Sequence, residues 1–225
     1  MAGPITKSRV TLPGDTQRLV ILGATGSGKT HAGLWHLSLR NYDQKPWIIF
    51  DYKYDELINE IEGAQEISLD SEIPEHAGLY IVHPGPDNEI EVSDYMTRIW
   101  AMEDTGVFID EGFMIGQQNM GFRSLLTQGR SKHIPMIVLT QRPVWIDRYV
   151  LSESDYFQVF RLQHRKDVAT VEQSVPHDLS ERLQRYHSYY YDVGSDNIYI
   201  LGPTPDRTAI LDTFNAKLRN LKKVV

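Results

Sequence analysis

The segment Gly23–Thr30 (GATGSGKT) follows the apolar run Leu19–Leu22 and has the spacing G-x-x-x-x-G-K-S/T. These residue types dictate a chemistry. Glycines let the backbone close around an anion, so that Gly23, Ala24, Thr25, Gly26, Ser27 and Gly28 can turn successive N–H groups toward phosphates at the start of a helix. Lys29 then reaches the outer phosphates of a nucleoside triphosphate, and the Thr30 hydroxyl supplies a ligand for Mg2+. A nucleoside triphosphate and Mg2+ are therefore the expected ligands.

A second acidic centre lies at Val107–Glu111, an apolar run that ends in two carboxylates. Asp110 is the expected Mg2+ ligand, acting mostly through water. Glu111 stands where it can orient and deprotonate an attacking water, which hydrolysis needs and transfer to a hydroxyl does not. Asp51, at the end of Trp47–Phe50, competes for the metal. It ranks second because no carboxylate follows it and Lys53 is near enough to offset its charge. A third polar strand end, Met136–Thr140 followed by Gln141, Arg142 and Pro143, could set Gln141 near the outermost phosphate as a sensor of hydrolysis. Arg130, in Gln128–Lys132, closes a helical stretch. Pointing out of its own subunit, it could stabilise transition-state charge in a neighbour's site.

These groups need elements to hold them. Short apolar runs alternate with amphipathic stretches, the pattern of a parallel sheet covered by helices. The expected strands are Arg18–Gly23, Trp47–Tyr52, Leu79–His83, Val107–Asp110, Met136–Thr140 and Tyr156–Leu162. Helical faces are read at Leu34–Leu39, at Leu57, Ile58 and Ile61 with Gly63 as stop, and at Met96, Ile99 and Trp100 with Ser93 as cap. Others are read at Phe122, Leu125 and Leu126 ending near Gly129, and beyond Pro176 at Leu179, Leu183 and Tyr186. Ser188–Val193 and Asn197–Leu201 flank Gly194-Ser-Asp as a β-hairpin. Leu211, Phe214, Leu218 and Leu221 predict a closing helix with Lys217, Arg219, Lys222 and Lys223 interleaved. The expected fold is α/β: a three-layer P-loop NTPase with a mainly parallel sheet, plus a C-terminal hairpin and basic helix. Residues 1–225 read as one domain, with a core at about 17–172 and an extension at about 173–225.

Composition narrows the function classes. The 225 residues are 41% hydrophobic and 24% charged, values of an ordinary globular chain and not of a disordered one. The absence of cysteine excludes disulfides and thiol chemistry. No apolar run reaches the roughly 18 residues that cross a bilayer, and the first residues lack the apolar core of a signal peptide. A place in the cytoplasm, or inside an infected cell, is expected. The net charge of −7 hides an asymmetry, with 8 basic and 19 acidic residues up to position 112 and 15 basic and 11 acidic residues after it. A basic surface in the second half, with Arg123 and Lys132 lining a pore formed by the Gly112–Lys132 segment, could hold a polyanion. His31 and His36 are five apart, wrong for one helical face, so a histidine metal site is not expected. Tyr189–Tyr191 read as packing residues. No Asn-Lys-x-Asp guanine motif and no Leu-Ser-Gly-Gly-Gln signature occurs, which removes GTPases and ABC ATPases.

Together, the phosphate loop, Val107–Glu111, Gln128–Lys132, Ile137–Pro143, Leu151–Glu153, Phe160–Leu162 and Asp167 resemble the FtsK/HerA superfamily of DNA-pumping ATPases. The compact length most resembles the genome-packaging ATPases of membrane-containing, tailless viruses. The likeness covers about residues 17–172 and is weak over 54–100. It implies a RecA-like core, ATP hydrolysis with Mg2+, a homo-oligomeric ring of six subunits, double-stranded DNA in the pore, capsid vertex or portal proteins as partners, and a place in the host cytoplasm or on the virion. It carries nucleotide binding to Lys29 and Thr30, the metal to Asp110, the water to Glu111, the sensor to Gln141 and the finger to Arg130, with Arg142 and Arg161 as alternatives for the finger. A conjugation or chromosome pump, and a nucleotide-dependent assembly switch with little hydrolysis, are the competing functions. Glu111 speaks against the switch.

Overall fold

In the strands nearest the phosphate loop, alternate residues pack on opposite faces of the sheet, as the period of two requires. Val20, Leu22, Ile48, Phe50, Val107, Ile109 and Val138 enter one core, and Leu19, Ile21, Trp47, Ile49, Phe108, Ile137 and Leu139 enter the other. A strand buried on both faces has no polar side to show, which is why these segments read as unbroken apolar runs. The computed structural model describes residues 10–179 and 181–221.

The strands are β1 (Arg18–Leu22), β2 (Pro46–Asp51), β3 (Gln65–Glu66), β4 (Gly78–Val82), β5 (Gly106–Asp110), β6 (Met136–Thr140), β7 (Tyr156–Val159), β8 (Ser188–Asp192) and β9 (Asn197–Leu201). They form one sheet in the order β3-β4-β2-β5-β6-β1-β7-β8-β9. The strands from β3 to β7 are parallel, and β8 and β9 continue the sheet as an antiparallel hairpin. The helices are α1 (Lys29–Ser38), α2 (Glu56–Asn59), α3 (Glu89–Met102), α4 (Met120–Gln128), α5 (Arg148–Ser152), α6 (Arg165–Glu172) and α7 (Arg207–Leu221). One face is covered by α3 and α4 through Tyr95, Met96, Ile99, Phe122 and Leu125. The other is covered by α1, α2 and α7 through Leu34, Leu37, Ile58, Ile210, Phe214 and Leu218. This is the expected three-layer α/β architecture.

Several local expectations change. Ser93 does not cap α3, which begins four residues earlier with Glu89 and Glu91 in its first turn, where carboxylates favour the helix dipole. The Ser93 hydroxyl accepts the Gly121 N–H at 3.2 Å instead. Among the described residues no helix forms around Leu179, Leu183 and Tyr186. The Glu181 carbonyl, which such a helix would use, accepts the Tyr189 hydroxyl at 3.0 Å, and Tyr186 takes a left-handed backbone with φ 63°. The closing helix starts at Arg207, and its Lys217 ammonium is occupied by the Arg40 carbonyl. Lys222 and Lys223 lie outside the described residues. Tyr189, Tyr190 and Tyr191 are all buried, as packing residues should be.

His36 on α1 is buried, stacked on Tyr190 and hydrogen-bonded to Gln158 at 2.9 Å. Burial, reinforced by the Arg40 charge, lowers its pKa to about 4 against the Gln158 hydrogen bond. Between about pH 6.5 and 4 the unfolded chain therefore holds a proton that the folded chain refuses. Stability from this group is complete above pH 6.5 and is lost as pH falls toward 4, by roughly 3 kcal/mol. Urea unfolding at pH 7.5 and 4.5 checks this: His36→Gln should lose less stability across that interval than the parent chain.

Candidate active site

The phosphate loop leaves the C-terminal end of β1, between the ends of β6 and β7, at the centre of the sheet. Crevices outside such strand ends are where open α/β sheets bind ligands. The Gly23 N–H donates to the Thr140 carbonyl at 3.2 Å and the Ala24 N–H to the Arg161 carbonyl at 3.1 Å, so both neighbours brace the loop. Gly28 holds φ 98° and stands at the N-terminus of α1 with no side-chain cap and no acidic residue in the first turn. Only a residue without Cβ adopts that backbone without strain, and the uncapped helix end faces an anion site.

Asp110 ends β5 and Glu111 follows it directly, with β6 between them and β1. The Lys29 Nζ lies 2.9 Å from the Glu111 Oε1, both side chains being almost wholly buried. Lys53 contacts the same oxygen from the end of β2. Glu111 itself has φ 62° and ψ 60°, a costly backbone for a side chain of its size. Its Oε2 and both carboxylate oxygens of Asp110 are buried without a hydrogen-bond partner. Burial pushes the Asp110 carboxyl up to about 6, against the pull of Lys53 and Lys29. Two unpartnered oxygens on an uncomfortable buried acid fit a divalent cation. Asp51 is the register partner of Asp110 but differs in its bonding. It accepts the N–H groups of Lys53 at 3.1 Å and Asp55 at 3.0 Å, and it faces His83. Its oxygens organise a turn. No cluster of three or more His, Asp or Glu among the described residues could hold a metal alone.

The Thr25 hydroxyl in the phosphate loop donates to the Gln141 Oε1 at the end of β6, so Gln141 borders the loop. The candidate arginines separate clearly. Arg142 lies over the Trp145 ring at 3.7 Å and 3.4 Å from Asp167, in a cleft shared with Ala24 and Thr25. Arg161 borders the same loop. Arg130 is at the other end of the sheet, exposed and paired with Asp155, which also accepts the Arg18 N–H at the start of β1. About 13 Å of strand separates that edge from the loop. Arg123 is 2.6 Å from Asp147 and Lys132 2.6 Å from Glu103, so each has a counter-charge within the subunit.

Two groups escaped the sequence reading. Lys53 was read as a neighbour of Asp51, yet its ammonium serves Glu111. The stretch around Leu183 and Tyr186, expected as a helix, instead sets Arg182, Arg185 and Tyr186 along a wall of the cleft beside Ala24–Ser27.

No family model matches the chain. It is 46% identical over 217 residues to the DNA packaging ATPase P9 of Enterobacteria phage PRD1, covering 92% of this chain and 95% of that protein. Its fold is similar to that of the genome packaging NTPase B204 of Sulfolobus turreted icosahedral virus 2. The complex of that protein with sulfate superposes with a TM-score of 0.68 at 18% identity, over 86% of this chain and all of that one. Its complex with ATP-gammaS gives the same TM-score and identity over 85% and 99%. ATPases 2 and 3 of EssC from Geobacillus thermodenitrificans match at TM-score 0.58 and 16% identity, over 93% of this chain and 44% of theirs. With nearly half its residues shared along almost the whole length of P9, the chain belongs to the family of that DNA packaging ATPase, among the FtsK/HerA-type viral packaging ATPases.

Proposed function

We propose that this chain is the ATPase that drives a viral double-stranded DNA genome into a preformed capsid, as a homo-oligomeric ring of six subunits seated at a capsid vertex. The observation that carries the reading is the meeting of Lys29, Glu111 and the unpartnered Asp110 at the phosphate loop. An assembly switch would not need a water-activating carboxylate such as Glu111 in that place. In this reading Gly23–Gly28 hold the triphosphate through backbone N–H groups, and Lys29 leaves Glu111 to bind the outer phosphates. Thr30 and Asp110 would hold Mg2+, which when bound neutralises charge developing on the phosphate oxygens. Glu111, kept in place by Lys53, takes the proton of the attacking water, and Gln141 senses the outermost phosphate. Arg130 serves the site of a neighbouring subunit, since its own loop is out of reach. No helix among the described residues is long and apolar enough to cross a membrane, so attachment to a vertex would run through protein contacts.

DNA contact should depend on assembly, because a subunit of net charge −7 repels a polyanion. The exposed cations Arg148, Arg165 and Lys166 at the starts of α5 and α6, together with Arg123 and Lys132 once they release Asp147 and Glu103, are the candidates for phosphate contacts. Assembled protein should hydrolyse ATP faster on long duplex. Duplex binding should fall steeply with salt and show little sequence preference, because phosphates carry no base information. ATPase rate measured against duplex length and salt tests this. One unchanged rate with and without duplex, together with no duplex bound at low salt, would remove the translocase reading.

A further inference from the structure

A phosphate loop recognises phosphates and says nothing about the base attached to them. Opposite that loop stands a wall of different chemistry. After α6 the chain is pinned to the core by Leu179 and Leu183 and by the Tyr189 hydroxyl on the Glu181 carbonyl. Residues 182–187 then run irregularly along a cleft of about 560 Å³ whose facing wall is Ala24–Ser27.

Tyr186 stands out within this arm. It is 41% exposed, unusual for a tyrosine lodged against a functional loop. Its backbone is left-handed, a conformation that a bulky residue keeps only when its surroundings hold it there. The Cδ1–Cε1 edge of its ring lies against Gly28, where an added Cβ would come within 3.2 Å of Cδ1. The Arg185 guanidinium sits over the ring, 4.6 Å from its centroid. The ring thus stands at the rim of the phosphate loop with a cation over one face and enough of its surface open to solvent to receive a flat partner.

We propose that Tyr186 is the stacking platform for the base of the bound nucleotide, with Arg185 fixing the ring and residues 182–187 serving as the arm that holds the base and sugar. The proposal rests on the reading that Gly23–Thr30 bind the triphosphate. Stacking uses the π-face that every base has, so it favours the larger purines without reading an edge.

The test compares ATP with inorganic tripolyphosphate, both measured by calorimetry on the full chain. Tyr186→Ala should weaken ATP binding roughly tenfold or more and leave tripolyphosphate within about twofold. Tyr186→Trp should retain ATP affinity. Equal weakening of both ligands by Tyr186→Ala would mean that the ring only shapes the loop at Gly28, and unchanged ATP binding would mean that the base lies elsewhere. Either result overturns the proposal. Lys29→Ala serves as the separate control, since it should weaken both ligands. If it weakens neither, the phosphate-loop reading fails first and the arm falls with it.

Discussion

Glu111→Gln is expected to keep ATP bound while turnover drops by roughly 10²-fold or more. Glutamine fills the same buried volume and can still orient a water, but it cannot take the water's proton. Affinity should hold because the backbone N–H groups and Lys29 are untouched. It could even rise, since Lys29 would no longer be drawn to the carboxylate 2.9 Å away. Lys29→Ala provides the contrast: a phosphate counter-charge disappears, so ATP affinity itself should fall. Steady-state hydrolysis and equilibrium ATP binding, measured on both variants, separate the two roles. Parallel loss of binding in both would count against Glu111 as the water-activating group.

Arg130→Ala is expected to reduce hydrolysis in assembled rings by about 10³-fold without loss of ATP binding, the scale of an arginine supplied to a neighbour's transition state. The pair with Asp155 does not stand in the way. Arg130 keeps more than half of its side chain exposed, and an exposed ion pair is worth about 0–1 kcal/mol, whereas a 10³-fold rate effect corresponds to about 4 kcal/mol. Releasing Asp155 to reach a phosphate is therefore favourable. Mixing Arg130→Ala subunits, whose phosphate loops are intact, with Lys29→Ala subunits, whose arginines are intact, should restore activity at interfaces that join an intact loop to an intact arginine. Mixed rings that stay inactive would take the role from Arg130 and pass it to Arg142 or Arg161, although both border their own loop.

The parts of this protein legible in its sequence are those governed by local rules. The apolar runs of β1, β2, β4, β5 and β6 announce strands buried on both faces. The spacing from Gly23 to Thr30 announces a loop that wraps phosphates, and Asp110 and Glu111 stand together because they are neighbours in the chain. Even the hairpin β8–β9 is signalled by its Gly-Ser-Asp turn. Adjacency across the sheet is a different matter. The preference for Asp110 over Asp51 could be guessed from the following Glu111. Only the fold shows that Asp51 is consumed by the Lys53 and Asp55 N–H groups while Asp110 is left without a partner.

Lys53 is 58 residues from Glu111 in the chain, and the strand order alone, with β2 beside β5, brings them together. Arg123 and Lys132 looked free because their acids, Asp147 and Glu103, are distant in sequence. The segment around Tyr186 deceived for the opposite reason. Its leucines have helical spacing, yet β8 claims the Glu181 carbonyl through Tyr189 and draws the chain across the phosphate loop. Periodicity records which residues prefer the core, whereas long-range hydrogen bonds and ion pairs decide where the chain is held. That is why the sequence determined the loop and its acids, and the tertiary structure decided which charges remain available to act.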